Sequence, residues 1–147
     1  MTHFSNTVTQ VGPLLRVTIG VSHARAEALV RAEKPIPTPI IANLLIDTGA
    51  SKSCICTNIA SSLGLSPTGV MNVLTPSTGT TPQPVPTYDV AMTFQGLSPS
   101  DVNSLPTLSV TSNDFAAQGI DGLLGRDVLS YAHMFYNGRE NMYFLSF

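Results

Sequence analysis

The chain has 147 residues and a formal charge of −2, from nine acidic and seven basic side chains, a length that suits one domain with a buried core. So even a balance offers no basic stripe for nucleic acid and no polybasic flank for a membrane surface, and neither is expected as a partner. Only 11% of the residues are charged while 43% are hydrophobic, which implies a polar-uncharged surface that tolerates self-association.

The N-terminus, with Thr2, His3, Ser5 and Asn6, lacks a signal-peptide pattern. No apolar run approaches the roughly 18–20 residues that span a bilayer, so a cytoplasmic protein is expected. Leu14 to Val21 reads as a strand with Leu15, Val17, Ile19 and Val21 on one face and Arg16 and Thr18 on the other. His23 to Lys34 holds five of the sixteen charged residues; its Ala-Arg-Ala-Glu-Ala run favours helix, and a twisted hairpin arm fits equally. Pro35, Pro37 and Pro39 make the following stretch an exposed connection, which leads into the apolar strand Ile40 to Ile46.

After Asp47-Thr48-Gly49-Ala50-Ser51 comes Ser53 to Ile55, then a short helix from Thr57 to Leu63 with a cap expected at its start and Gly64 behind it. Val70 to Leu74 and Thr87 to Phe94 flank Thr75 to Pro86, whose four prolines and one glycine suggest a projecting hairpin or loop. Leu105 to Val110 is a further strand, Asn113 to Gly119 a loop, Ile120 to Leu124 a short buried run and Asp127 to Ala132 a short helix. The ending, Met134-Phe135-Tyr136, the dipeptide Asn137-Gly138 and Met142 to Phe147, carries a hairpin signal. Cys54 and Cys56, one residue apart, suit neither a routine disulfide nor a zinc knuckle and read as buried thiols. His3, His23 and His133 have no ligand-like spacing, so no metal and no cofactor is expected.

Two segments carry chemistry. Asp47 follows the apolar run Leu44-Leu45-Ile46 and precedes Thr48-Gly49, which presents a carboxylate where a buried strand breaks into a turn. The second, Ile120-Asp121-Gly122-Leu123-Leu124-Gly125-Arg126-Asp127, is a buried apolar pair, then glycine, then the start of a helix. Either alone reads as an ordinary strand-ending turn or strand-to-helix junction. Together and in this order they resemble the two signatures of the retropepsin-like aspartic proteases, and the likeness of element order runs from about Leu14 to Phe147. It is closer to standalone cellular or bacterial members than to compact viral ones, against which residues 23–38 look like an insertion.

The resemblance implies a mostly β, closed-barrel fold with one or two short helices, one lobe per chain, filling a single domain over residues 1–147. It implies an aspartic endopeptidase with Asp47 as the catalytic residue, supported by Thr48, Gly49, Ala50 and Gly125. Ser51, Ser77, Thr78, Gly79, Ile120 and Leu123 would meet a peptide or protein substrate, the hairpin between Val73 and Tyr88 acting as a lid. Leu124 would pack beneath the site, Thr48 would bridge to a second subunit, and Arg126 would anchor the turn or the dimer through an ion pair. Only one Asp-Thr-Gly is present, so a homodimer is expected, with Asp47 from each copy meeting at a two-fold axis. Two adjacent carboxylates share a proton and titrate as a unit. Ala50 stands where pepsin-like relatives commonly carry a hydroxyl, which moves the expected pH optimum toward weak acid or neutrality. The final strand, expected at an edge, would be covered by the partner. The competing function is a catalytically weak or inactive dimer of the same fold serving as a peptide-binding or assembly module. A sugar- or lipid-binding barrel would leave the paired motifs unexplained.

Overall fold

The computed structural model describes residues 1–75 and 79–147. The alternation read from Leu15 to Val21 becomes the inward face of β2 (Leu14–Val21): its four apolar side chains are at most 6% exposed, while Arg16 faces solvent. β2 pairs antiparallel with β3 (Ile40–Ile46), whose Ala42, Leu44 and Ile46 point into the same core. β3 runs parallel to β8 (Gly122–Leu124), β8 antiparallel to β4 (Cys54–Cys56), and β4 parallel to β7 (Val102–Asn113). β7 pairs antiparallel with β6 (Gln83–Gln95), and β6 returns to β2 through Thr18↔Thr93 to Val21↔Val90, closing a six-stranded barrel. A register shift between Val90 and Met92 lies where β6 must serve both neighbours, and such a bulge bends a strand as closure demands.

β5 (Gly69–Val73) continues β6 outward as a hairpin arm. Residues 84 and 86, both proline, belong to the ladder, with Val70↔Pro86 and Asn72↔Pro84. The strand therefore begins inside the stretch expected to be a projecting hairpin or loop, and the hairpin is the form that the described residues take. Proline lacks an N–H, so both must occupy non-hydrogen-bonded positions facing away from β5. Over residues 83–86 β7 is absent from the other side, so the prolines cost no ladder bond.

Among the described residues three short α-helices form rather than one or two. α1 (His23–Arg31) settles the open segment: Ser22 caps it by accepting the Arg25 N–H at 3.3 Å. It ends with Lys34 and Glu33 N–H groups donating to Leu29 and Val30 carbonyls and Glu33 at φ 54°, a Schellman ending. α2 (Thr57–Ser62) starts without a side-chain cap, contrary to expectation, because Cys56, not Thr57, occupies the capping position. α3 (Arg126–Leu129) is shorter and earlier than Asp127 to Ala132, and a 3-10 turn at Ala116–Gln118 breaks the expected loop. None of the helices described is long and apolar enough to cross a membrane.

The termini form a second sheet. β10 (Met142–Ser146) lies between β1 (His3–Thr7) and β9 (His133–Asn137), antiparallel to both. The last strand is thus central, correcting the expectation of an edge: both its ladders are filled by its own chain. Tyr143 and Leu145 are at most 1% exposed, whereas Phe144 and Phe135, on the opposite face, are 44% and 61% exposed. The hairpin turn also differs, since Asn137 pairs with Met142 and four residues connect them. Asn137 Oδ1 accepts the Glu140 N–H at 3.1 Å, and Asn141 carries the positive φ of 56°.

Cys54 and Cys56 are free and buried. Burial pushes the Cys54 thiol up, with a hydrogen bond to Thr111 acting the other way and Cys56 adding to the rise. Among the described residues no group of three His, Cys, Asp or Glu could hold a metal ion.

Candidate active site

Parallel pairing of β3 with β8 sets Leu44 beside Gly122, Leu45 beside Leu123 and Ile46 beside Leu124, so the two sequence motifs end side by side. The Asp47 N–H donates to the Leu124 carbonyl at 3.0 Å, and the Ile46 N–H to the Pro13 carbonyl at 2.9 Å. The turn then closes on itself: the Ala50 N–H reaches the Asp47 carbonyl at 3.2 Å, and the Gly49 N–H reaches Asp47 Oδ1 at 2.8 Å. A Cβ on Gly49 would come within 3.1 Å of that oxygen, tighter than most contacts, so glycine permits the amide's approach. Asp47 and Ala50 are half-buried; Thr48, Gly49 and Ser51 are exposed.

The second motif clamps this turn from below. The Arg126 backbone N–H donates to the Ala50 carbonyl at 2.9 Å, and its guanidinium Nη1 to the Thr48 and Gly49 carbonyls at 2.8 and 3.3 Å. Arg126 therefore anchors the turn as expected, but through carbonyl oxygens rather than an ion pair. Gly125 is buried, and a Cβ there would lie 2.6 Å from the Lys52 carbonyl carbon; only glycine lets the two backbones touch. Its N–H donates to Ser53 Oγ at 3.0 Å.

Asp127 and Asp121, the other carboxylates of the second motif, are committed to holding backbone. Asp127 accepts from Ser53 N–H, Ser53 Oγ and its neighbour's Val128 N–H, all within 3.0 Å. Asp121 Oδ2 accepts the Asn43 N–H at 2.8 Å, and its main chain bonds Asn43 and Cys56. One copy thus presents a single carboxylate, Asp47, at the turn. Sequence reasoning missed Ser53 and the roles of Asp121 and Asp127. The only signal was a carboxylate on either side of an apolar-apolar-glycine run, which by itself reads as solvated charge.

The structure gathers Asp47, Thr48, Gly49, Ala50 and Gly125 within one hydrogen-bonded unit. Leu123 is half-buried beside Leu45. Ile120, expected to meet substrate, is 5% exposed and packs in the core, because the chain turns it inward just before Asp121 docks on β3. Gly79 is exposed in the β5–β6 connection with φ 60°; Ser77 and Thr78 lie outside the described residues. Two described cavities, of about 430 and 230 Å³, lie on the terminal sheet and beside Tyr131. Neither is lined by the Asp47 turn.

Comparison with known proteins agrees with this geometry. A model of the aspartyl protease family matches residues 38–128, more than half of the chain and the whole of the paired-motif unit. A retropepsin-like aspartic protease from Rickettsia conorii has a similar structure, with a TM-score of 0.58 over 97% of this chain and 89% of that one. Their identity is 11%, so the likeness concerns the retropepsin-like fold. No curated protein sequence matches the chain.

Proposed function

Because the chain belongs to the aspartyl protease family, we propose that it is an aspartic endopeptidase whose catalytic pair is Asp47 from each of two copies. The observation that carries this reading is the turn itself: one half-buried carboxylate, fixed through Oδ1 by the Gly49 N–H and presented where a barrel strand ends. Two such turns facing across a two-fold axis would place two carboxylates within hydrogen-bond reach. Like charges at that separation cannot both ionise cheaply, so the pair would hold one proton between them.

The ionised partner takes a proton from a bound water as it attacks the peptide carbonyl, and the protonated partner donates to the carbonyl oxygen. Thr48 is exposed beside Asp47 and would reach across to the second copy. The β5–β6 hairpin would cover an extended substrate, the edge of β5 that is unpaired among the described residues offering backbone groups to the peptide.

Incubating purified protein with a diverse peptide mixture at several pH values, beside Asp47→Asn, tests the reading. Cleavage by the wild type alone supports it; cleavage by neither favours the peptide-binding or assembly module, and cleavage by both removes Asp47 from the chemistry. A pH prediction follows from Ala50. A hydroxyl at that position can donate to the ionised carboxylate and favour the charged form, so Ala50→Ser should move the optimum of the rate profile to lower pH. An optimum that stays or rises contradicts this use of the turn.

A further inference from the structure

Ser53 and Asp127 lie 74 positions apart in sequence and meet in a fully hydrogen-bonded contact between the two motifs. Ser53 is 0% exposed, so each of its polar atoms must find a partner within the protein. Its N–H is shared between Asp127 Oδ1 and Oδ2 at 3.0 Å each, its hydroxyl donates to Oδ1 at 2.8 Å, and the same hydroxyl oxygen accepts the Gly125 N–H at 3.0 Å. The relay runs from Gly125 N–H through the Ser53 hydroxyl to a carboxylate, and each link is stronger for ending on a charge-assisted bond. Its place matters: Ser53 closes the segment that Asp47 opens, and residues 124–126 contact that segment at Asp47, Thr48, Gly49 and Ala50.

We infer that Ser53 and Asp127 are positioning residues for the Asp47 turn: together they hold the exit of the 47–53 segment against Gly125 and so fix where the Asp47 carboxylate stands. Neither touches the reacting atoms in this account. The contribution to rate rests on the proposed peptidase activity, but the contribution to geometry does not. Catalytic groups tolerate about 0.5 Å of misplacement before productive geometry is lost, and the Gly49 amide that fixes Asp47 Oδ1 belongs to the same segment.

Two readouts separate the possibilities. In Ser53→Ala, Gly125 loses its acceptor and Asp127 its hydroxyl donor; Asp127→Ala removes the acceptor of the relay. Asp127→Asn keeps an oxygen for the Ser53 N–H and hydroxyl, and serves as the conservative rescue. By amide hydrogen exchange, Ser53→Ala and Asp127→Ala should each speed exchange at Gly125, Gly49 and Ala50 by tenfold or more, with exchange in β2 and β6 within twofold of wild type and Asp127→Asn within about fivefold at every site. On a peptide that the wild type cleaves, kcat should fall at least tenfold in both alanine variants with KM within threefold, and Asp127→Asn should recover most of the loss. If the wild type cleaves no peptide, the peptidase reading fails while the exchange arm still decides this inference. Faster exchange at Gly125 with Gly49 and Ala50 unchanged would overturn it, as would acceleration spread equally through β2 and β6 in both alanine variants, which marks plain destabilisation.

Discussion

Asp47→Asn is expected to lower peptide cleavage by roughly 10²–10⁴-fold, the range a positioned general acid–base group contributes, while folding and self-association stay near wild type. The asparagine carbonyl oxygen can take the place of Oδ1, which accepts the Gly49 N–H at 2.8 Å, so the turn keeps its internal bond. The bonds from Asp47 N–H to Leu124 and from Ala50 N–H to the Asp47 carbonyl involve only main chain and are untouched. What would disappear from the proposed two-copy site is the negative charge that accepts a proton from water, from both copies at once. Rate measured beside thermal unfolding of the same samples checks this. Wild-type cleavage by a well-folded Asp47→Asn protein would contradict the assignment, and a collapse in stability would show that the carboxylate serves the fold.

Deleting Tyr143 to Phe147 is expected to abolish the native fold and not merely to weaken association. β10 is the middle strand of the terminal sheet, so its loss strips both β1 and β9 of the only ladders they have among the described residues. Tyr143 and Leu145, at most 1% exposed, account for roughly 1.5–3 kcal/mol each by burial, and the Tyr143 hydroxyl donates to the Leu14 carbonyl at 2.5 Å. Phe147 also leaves its ring contacts with Phe4 and Phe94. Against a total stability of about 5–15 kcal/mol, these losses leave little, and the bared edges of β1 and β9 invite aggregation. Circular dichroism and sedimentation of the truncated chain measure the outcome; a folded, active truncated protein would contradict the structural role given to β10.

Much of the barrel is legible because it obeys local rules. The period-two pattern of Leu15, Val17, Ile19 and Val21 marks β2, and the apolar run of Ile40 to Ile46 marks β3, since a strand buried by its neighbours needs little else. The paired motifs are legible because glycine must stand wherever backbone touches backbone, as Gly125 does on Lys52.

What stayed hidden depends on partners distant in sequence. β1, His-Phe-Ser-Asn-Thr, has one apolar side chain and is a strand only because β10 lies beside it. Pro84 and Pro86 argue against a strand, yet the register pairs them with Asn72 and Val70, positions a proline can hold when its nitrogen faces away from the neighbouring strand. Asn137-Gly138 promised a two-residue turn, but the positive φ falls on Asn141 and the loop is two residues longer. The Ser53–Asp127 contact spans 74 positions, and nothing near either residue announces it. The last strand was expected at an edge because an apolar terminus with no visible partner looks unpaired; its partner was the polar segment at the other end of the chain.

In the proposed site the catalytic pair exists only when two chains meet. Sedimentation equilibrium and peptide cleavage measured over the same concentration series test it most directly. Activity should fall more steeply than linearly with dilution, tracking the measured dimer fraction through its dissociation constant. Constant activity per chain in a sample that sedimentation shows to be fully monomeric would contradict the two-chain site.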